Sequence, residues 1–404
     1  HQEGAMIRSL ELRRGEKEAV RPRLFTPAFV TVTLASLAYF TADGVLLPAL
    51  PRYVEGPLGG GDVAVGLVVG AFSLSAFFLR PWAGGLGDRR GRRLLMVVGA
   101  GIFALSVLGY LLARSPMTLA ALRLLTGAGE ALFFVGAVTA VTDLAPPNRR
   151  GEAMSFFSLS IYVGIGIGPL LSEAAIDIVG FSGAWVLSAL AAVAALILGT
   201  RVPDTRPEPN ALVAPSHRLI HRAGLLPGLV MLTSLWGMAG FLTFVPLYAL
   251  DLGMKGSWLV LGLFSAIVVV VRSLGARIPD RLGAGRATRI ALAASALGLL
   301  SVGLWHSPAG LIVGTAIFAL GIALFTPALM TLAVEGVSPT ERGAVIGTTS
   351  AFLDLAFGLG PATLGFVAAG VGRGGTFVAG AGVAIAGLGI VVGSRLGRSR
   401  VSAR

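Results

Sequence analysis

Cysteine is absent from the 404 residues, which excludes disulfides and thiolate metal sites. Histidine occurs only as His1, His217, His221 and His306, and none lies inside an apolar run. An intramembrane hydrolase would need a nucleophile with its base, or metal ligands, within those runs. An enzyme is therefore the most distant alternative, and no metal and no cofactor is expected. Lysine is nearly missing as well. Neither Lys17 nor Lys255 stands in a G-x-x-x-x-G-K-[ST] loop, so an ATP-driven pump has no phosphate cradle. Asparagine is confined to Asn148 and Asn210, and glutamine to Gln2, so the apolar runs carry no side-chain amide. That weighs against a proton-coupled importer of a small polar solute, which is kept as the alternative function. Charge is scarce too, at 13% where a soluble domain carries about 25%.

Apolar residues make up 55% of the chain. They fall into runs long enough to cross a bilayer, which takes about 20 residues. Twelve helices are expected, at 25–50, 63–86, 94–113, 117–145, 152–179, 182–200, 224–250, 256–277, 287–305, 309–336, 342–369 and 374–394. The longer ones must tilt or bend, and Pro48, Pro169, Pro246, Pro327 and Pro361 offer points to do so. Residues 1–24 form a polar, basic tail, in which 1–5 read as a remnant ahead of a start at Met6. The first six helices occupy 25–200. A proline-rich linker follows at 201–222, then the second six helices at 223–394 and a basic tail at 395–404.

The basic residues set the orientation. Of 32, only Arg52, Arg114, Lys255 and Arg373 fall on one side of the spans, and Arg80, Arg123 and Arg272 fall within them. The rest lie on the other side, which places both termini in the cytoplasm. The net charge of +12 is thus topological and meets anionic lipid, not nucleic acid. Trp185, Trp258 and Trp305 fall where an outer aromatic belt would stand.

The chain also repeats itself at one offset. Arg80, Asp88, Arg89 and Gly91 recur as Arg272, Asp280, Arg281 and Gly283; Pro147, Arg150 and Gly151 recur as Pro339, Arg342 and Gly343. Gly168-Pro169 recurs as Gly360-Pro361, and Pro51-Arg52-Tyr53 recurs as Pro246-Leu247-Tyr248 at a slightly different spacing. Two six-helix halves of parallel topology follow, the architecture of alternating-access transport. The fold class is an all-α membrane protein with two pseudo-symmetric six-helix bundles.

Between the second and third runs lies Gly84-Gly85-Leu86-Gly87-Asp88-Arg89-Arg90-Gly91-Arg92-Arg93. Its glycines permit a tight reversal, and its arginines hold the turn inside. The pattern resembles the loop between helices 2 and 3 of the major facilitator superfamily of secondary transporters. Arg123-Leu124-Leu125-Thr126-Gly127 resembles that family's helix-4 pattern. Gly164-Ile165-Gly166-Ile167-Gly168-Pro169 resembles the helix-5 pattern of its antiporters, although Ser172 and Glu173 stand where a Gly-Gly pair is usual. Gly44 to Pro51 resembles the end of helix 1 in twelve-helix drug:proton antiporters. The resemblance implies that Gly84, Asp88, Arg89, Gly91, Arg92, Arg93, Gly164, Gly168, Pro169, Asp280 and Arg281 serve the conformational switch. It also implies that Asp88 meets the helix-11 N-terminus near Glu341 and Arg342 when the cytoplasmic side closes.

Charge inside a membrane is expensive and marks function by default. Asp43, Arg123, Glu130 and Asp354 are the expected proton-coupling residues, with Arg80 and Arg272 free to snorkel toward the cytoplasm. Asp43 and Arg123 match in depth and are expected to pair. Glu130 lies seven residues past Arg123, about 10 Å deeper on nearly the same face, with no cation placed to neutralise it. On that count the cavity would be net negative and favour cations or neutral amphipaths. Phe40, Phe133, Phe134, Phe156, Trp236, Phe241, Phe244 and Phe325 are the expected aromatic lining. The function this implies is a proton-coupled antiporter exporting amphipathic organic compounds. It would be a monomer in the bacterial plasma membrane, with the small substrate, protons and lipid as its partners.

Overall fold

The computed structural model describes residues 24–205, 221–274, 281–338 and 341–394. The expected terminal tails, most of the linker, Asp280 and Pro339 lie outside the described residues. Among the described residues, twelve helices of 17 residues or more carry the fold. The first six are α1 (Pro27–Glu55), α2 (Asp62–Arg90), α3 (Arg92–Gly109), α4 (Pro116–Leu144), α5 (Arg150–Val179) and α6 (Phe181–Thr200). The second six are α7 (Arg222–Asp251), α8 (Trp258–Leu274), α9 (Ala284–Leu304), α10 (Pro308–Val334), α11 (Arg342–Val371) and α12 (Arg373–Gly393). Eleven are long and apolar enough to span a bilayer, counting the short 3-10 turn that extends α3 to Leu112; α8 is described over 17 residues.

Local sequence explains the ends. Thr26, Ser115 and Ser307 each accept a backbone N–H of the following turn and precede a proline at the first helical position. A hydroxyl cap with a proline that needs no partner is a strong start signal. Ser115 and Ser307 occupy equivalent places in the repeat. The expected loop between the second and third helices shrinks to Gly91 alone, with φ 93°, because α2 continues through Arg90. Gly84, Asp88 and Arg89 are therefore helical. The proline–tyrosine repeat serves the same end in both halves. Tyr53 and Tyr248 each donate from the phenol to a carbonyl near the end of the third helix of their half, Ala113 and Val302.

Helix pairing repeats as faithfully as the sequence. α1 packs on α5 and α6, α2 on α4, and α3 on α4 and α6. In the second half α7 packs on α11 and α12, α8 on α10, and α9 on α10 and α12. The halves meet mainly along two seams, α2 with α11 and α5 with α8. α3, α6, α9 and α12 make their main contacts within their own half, as their charge-free interiors suggest. One end of the bundle carries the arginine-rich turns and the other the short α1–α2 and α7–α8 connections. Trp258 and Trp305 are exposed near the latter end, but Trp185 is buried, edge-on to Tyr53 and Tyr110, and belongs to the core instead of a belt.

Candidate functional site

Arg80 is the centre of the site. Its guanidinium donates from Nη2 to Glu130 Oε1 at 2.9 Å and Oε2 at 3.1 Å, and its Nη1 lies 3.1 Å from Asp354 Oδ1. The ring of Phe134 lies 4.5 Å beneath it. The three charged side chains are 20%, 8% and 7% exposed, respectively, so the group is largely withdrawn from solvent. Arg80 comes from α2, Glu130 from α4 and Asp354 from α11. One arginine thus ties the first half to the second. This corrects two expectations: Arg80 does not snorkel, and Glu130 does have a cation. Two carboxylates and an aromatic face offset much of the cost of burying the guanidinium, although its Nε has no acceptor.

Asp43 and Arg123 do not form the expected contact pair. No carboxylate oxygen lies within 4.0 Å of Arg123 among the described residues; instead its guanidinium sits 4.4 Å over Phe72, with Nε and Nη1 lacking an acceptor. Asp43 lies in the field of Arg123 and Glu130 without touching either. Gly127 explains how α4 reaches α2: a Cβ there would strike the Phe72 carbonyl and Ser75. The spacing from Arg123 to Gly127 therefore delivers Arg123 and Glu130 together to the α2 surface.

Among the described residues Asp43, Glu130 and Asp354 stand against Arg80, Arg123 and Arg272, and the buried Glu173 of α5 adds one further acid nearer the end opposite the arginine-rich turns. Tyr39 was missed. It is buried, stacks on Phe133 at 3.9 Å, and turns a hydroxyl without a partner into the field of Glu130 and Asp43. A phenol in an otherwise apolar run was the available signal.

The expected aromatic lining divides. Phe133, Phe241, Phe244 and Phe325 are fully buried and pack the cores. Phe241, for one, sits among Phe264, Phe318 and Phe377 of its own half. Phe134, Phe156 and Trp236 keep partial exposure, and Phe40 is edge-on to Phe134.

A family model for the Major Facilitator Superfamily matches residues 32–361. The chain belongs to that superfamily. It is a multi-pass membrane protein and a secondary transporter of this kind. An uncharacterized MFS-type transporter of Salmonella typhimurium is 27% identical over 370 residues, 89% of this chain and 94% of the relative. One of Pseudomonas aeruginosa is 30% identical, over 84% of this chain and 87% of the relative. Among solved structures, a human organic anion transporter superposes with a TM-score of 0.71 at 21% identity, covering 91% of this chain and all of that one. A POT family transporter gives 0.76 at 14% identity, with 90% and 95% covered. At those identities the likeness is one of fold.

The superfamily's signature turn is built around Arg92. It is buried, with Nε 3.1 Å from Asp143 Oδ2, Nη2 3.0 Å from Asp88 Oδ1, and Nη1 donating to the Gly87 carbonyl at 2.8 Å. Asp88 is 57% exposed, and its ion-pair partner among the described residues is Arg92. Arg89 and Arg93 are exposed, as is Arg281. Beside Arg92 lies a cavity of about 170 Å³, lined by Gly84, Asp88 and Thr139 among others. Its counterpart in the second half is about 520 Å³, lined by Ala284, Thr331 and Glu335 among others. Ala284 stands where the repeat would place Arg92, so no guanidinium from that position enters the larger space.

Gly164 and Gly168 press α5 onto α1. A Cβ on Gly164 would come 2.6 Å from the Phe40 carbonyl carbon, and one on Gly168 would strike Gly44. Pro169 continues the same buried face. Glu173, the departure from the usual motif, also has a role. It accepts Ser257 N at 2.6 Å and Ser257 Oγ at 2.9 Å, and so caps α8 across the seam between the halves.

The end opposite the arginine-rich turns is closed by Arg373. It pairs with Glu55, with Asp62 Oδ1 at 2.9 Å and with Asp251 Oδ1 at 2.8 Å, joining α1 and α2 to α7 and α12. At the arginine-rich end the pairs Arg92–Asp88, Arg92–Asp143, Arg149–Glu152 and His221–Glu341 each stay within one half.

Proposed function

We propose that this chain is a proton-coupled antiporter that exports amphipathic organic compounds by alternating access. The arginine-rich end faces the cytoplasm of a bacterial inner membrane, with both termini there, and a monomer suffices. The observation that carries the reading is the bridge from Glu130 through Arg80 to Asp354. A carboxylate pair sharing one guanidinium across the moving seam couples protonation to movement. When Asp354 takes a proton, Arg80 loses its charged partner on α11 and the seam loosens; when Glu130 takes one, Arg80 is left to Asp354 alone and the seam tightens. A cationic group of the substrate favours the ionised carboxylates, so substrate and proton compete for the same charge. Glu130 is the main proton carrier, and Asp43 with Arg123, apart in this state, forms the switch that tunes it.

The test is transport in proteoliposomes with an imposed pH gradient and a panel of lipophilic dyes. Glu130→Gln should abolish gradient-driven transport while equilibrium dye binding persists and becomes nearly independent of pH. Substrate-induced proton release in detergent assigns the carrier. If Glu130→Gln still releases protons like the parent and Asp43→Asn does not, the carrier is Asp43. Dye uptake driven with the proton, not against it, would replace export by the importer reading.

A further inference from the structure

The repeat gives the central arginine a twin, and the twin stands in different company. Arg272 on α8 is the counterpart of Arg80 on α2, 192 positions on. It crosses the other seam, to α5, where Nη1 donates to Ser158 Oγ at 2.6 Å and Nη2 to the Tyr162 hydroxyl at 3.4 Å. Its guanidinium lies 4.6 Å from the centre of the Tyr162 ring, as that of Arg80 lies over Phe134. Tyr162 is also the position that the repeat pairs with Asp354, and Ile322 is the position it pairs with Glu130. The two carboxylates that neutralise Arg80 are thus replaced by a phenol and an alkyl chain.

Arg272 is half-buried and has no carboxylate within 4.0 Å among the described residues; its Nε, like that of Arg80, finds no acceptor. Hydroxyls satisfy hydrogen bonds but not charge. A cation withdrawn from water without a counterion is costly, unless something anionic joins it during the working cycle. The α2–α11 seam therefore carries one surplus negative charge and the α5–α8 seam one surplus positive charge. The repeat places Arg80 and Arg272 at equivalent positions of the two halves, 192 residues apart, each on one of the two seams.

We propose that the transported compound is amphoteric: an apolar body with a cationic group that docks toward Glu130 and Asp354, and a carboxylate that docks on Arg272. This rests on the export reading, because the cationic end is the one that competes with the proton. It adds a requirement for the acid group that proton exchange alone does not impose. A planar guanidinium suits a carboxylate, which can accept two parallel hydrogen bonds in place of the hydroxyls of Ser158 and Tyr162 that Nη1 and Nη2 now meet.

The experiment is equilibrium binding in detergent at one pH, without a gradient, read by fluorescence anisotropy. The probes are rhodamine B, a cationic ring system bearing a carboxylate, and its ethyl ester, the same ring without the acid. The parent should bind the acid more tightly than the ester. Arg272→Ala should weaken the acid by roughly ten- to a hundredfold, the worth of a charge-assisted hydrogen bond, and leave the ester nearly unchanged. Arg272→Lys should lose only part of the preference. Tyr162→Asp, which restores the counterion present on the other seam, should erase it while retaining ester binding. Equal affinity of the parent for acid and ester, or equal loss of both in Arg272→Ala, overturns the proposal. Neither result bears on gradient-driven transport by the parent, so the proton-exchange reading stands or falls separately.

Discussion

Arg80 has two acids and one positive charge to share between them, and its removal would leave both carboxylates facing each other in a low-dielectric setting. Deleting one member of such a buried group costs about 3–5 kcal/mol when the remaining charge stays uncompensated. Arg80→Ala should therefore lower the thermal unfolding midpoint in detergent clearly more than Glu130→Gln does. The double variant Arg80→Ala with Glu130→Gln should be less destabilised than the sum of the two, because neutralising Glu130 removes part of the repulsion. Strict additivity would mean that the pair contributes no coupling energy. The sequence made Glu130 conspicuous, since an acid within an apolar run stands out. Its shared face with Arg123 was also legible, from a seven-residue spacing on a helix. Which neighbour that face meets was not. Rotation about the helix axis relative to other helices leaves no trace in spacing, and the face turned to α2, at Phe72 and Arg80, instead of α1 and Asp43.

Glycine spacing raises the same issue between whole helices. The Gly164 to Pro169 motif was visible, and its role in close packing is met. Gly164 and Gly168 meet α1 inside one half, while Gly166 between them meets Ser265 of α8 across the seam, so the motif serves both a bundle and the join between the halves. On the other seam, Gly66 and Gly70 of α2 let the halves touch. A Cβ on either would strike a carbonyl of α11, at Pro361 and Gly358 respectively. They carry no family pattern, and nothing in their surroundings in the sequence announces a partner about 290 residues away. The two sites predict different consequences. Gly168→Leu overpacks the interior of one half, which costs about 1–3 kcal/mol or more, and should lower the unfolding midpoint. Gly70→Leu meets a seam that can open, so the halves should separate there with a smaller loss of stability. Measuring both midpoints alongside spin-label distances across the opposite end distinguishes them. A Gly70→Leu variant with parent-like distances and an equal drop in midpoint would place that glycine in a rigid core.

Across the described residues, the halves are joined by charge at the end that carries Arg373, while the pairs Arg92–Asp88, Arg92–Asp143, Arg149–Glu152 and His221–Glu341 at the arginine-rich end each lie within one half. Arg373 is 13% exposed, but its partners Glu55, Asp62 and Asp251 are 41%, 18% and 47% exposed, so water screens each contact. Exposed pairs contribute about 0–1 kcal/mol each, and three converging on one fork give a fastening of a few kcal/mol at most. That magnitude suits a reversible closure: losing about 1.4 kcal/mol changes the ratio of closed to open molecules tenfold. Arg373→Ala should thus shift the population toward molecules open at that end. There Asp88 is free to leave Arg92 for the α11 N-terminus, where a carboxylate meets the positive end of the helix dipole. The absence of native cysteine makes the measurement direct. Spin labels at Pro57→Cys and Lys255→Cys report the Arg373 end, and labels at Arg93→Cys and Arg286→Cys report the other. With Arg373→Ala the first distance should lengthen and the second shorten together, since rigid halves rocking about a central site cannot open both ends. Raising the ionic strength of the parent should move both distances the same way by a smaller amount. If the first distance lengthens while the second stays fixed, Arg373 fastens only its own loops, and the coupling between the two ends must reside in the Arg80 bridge.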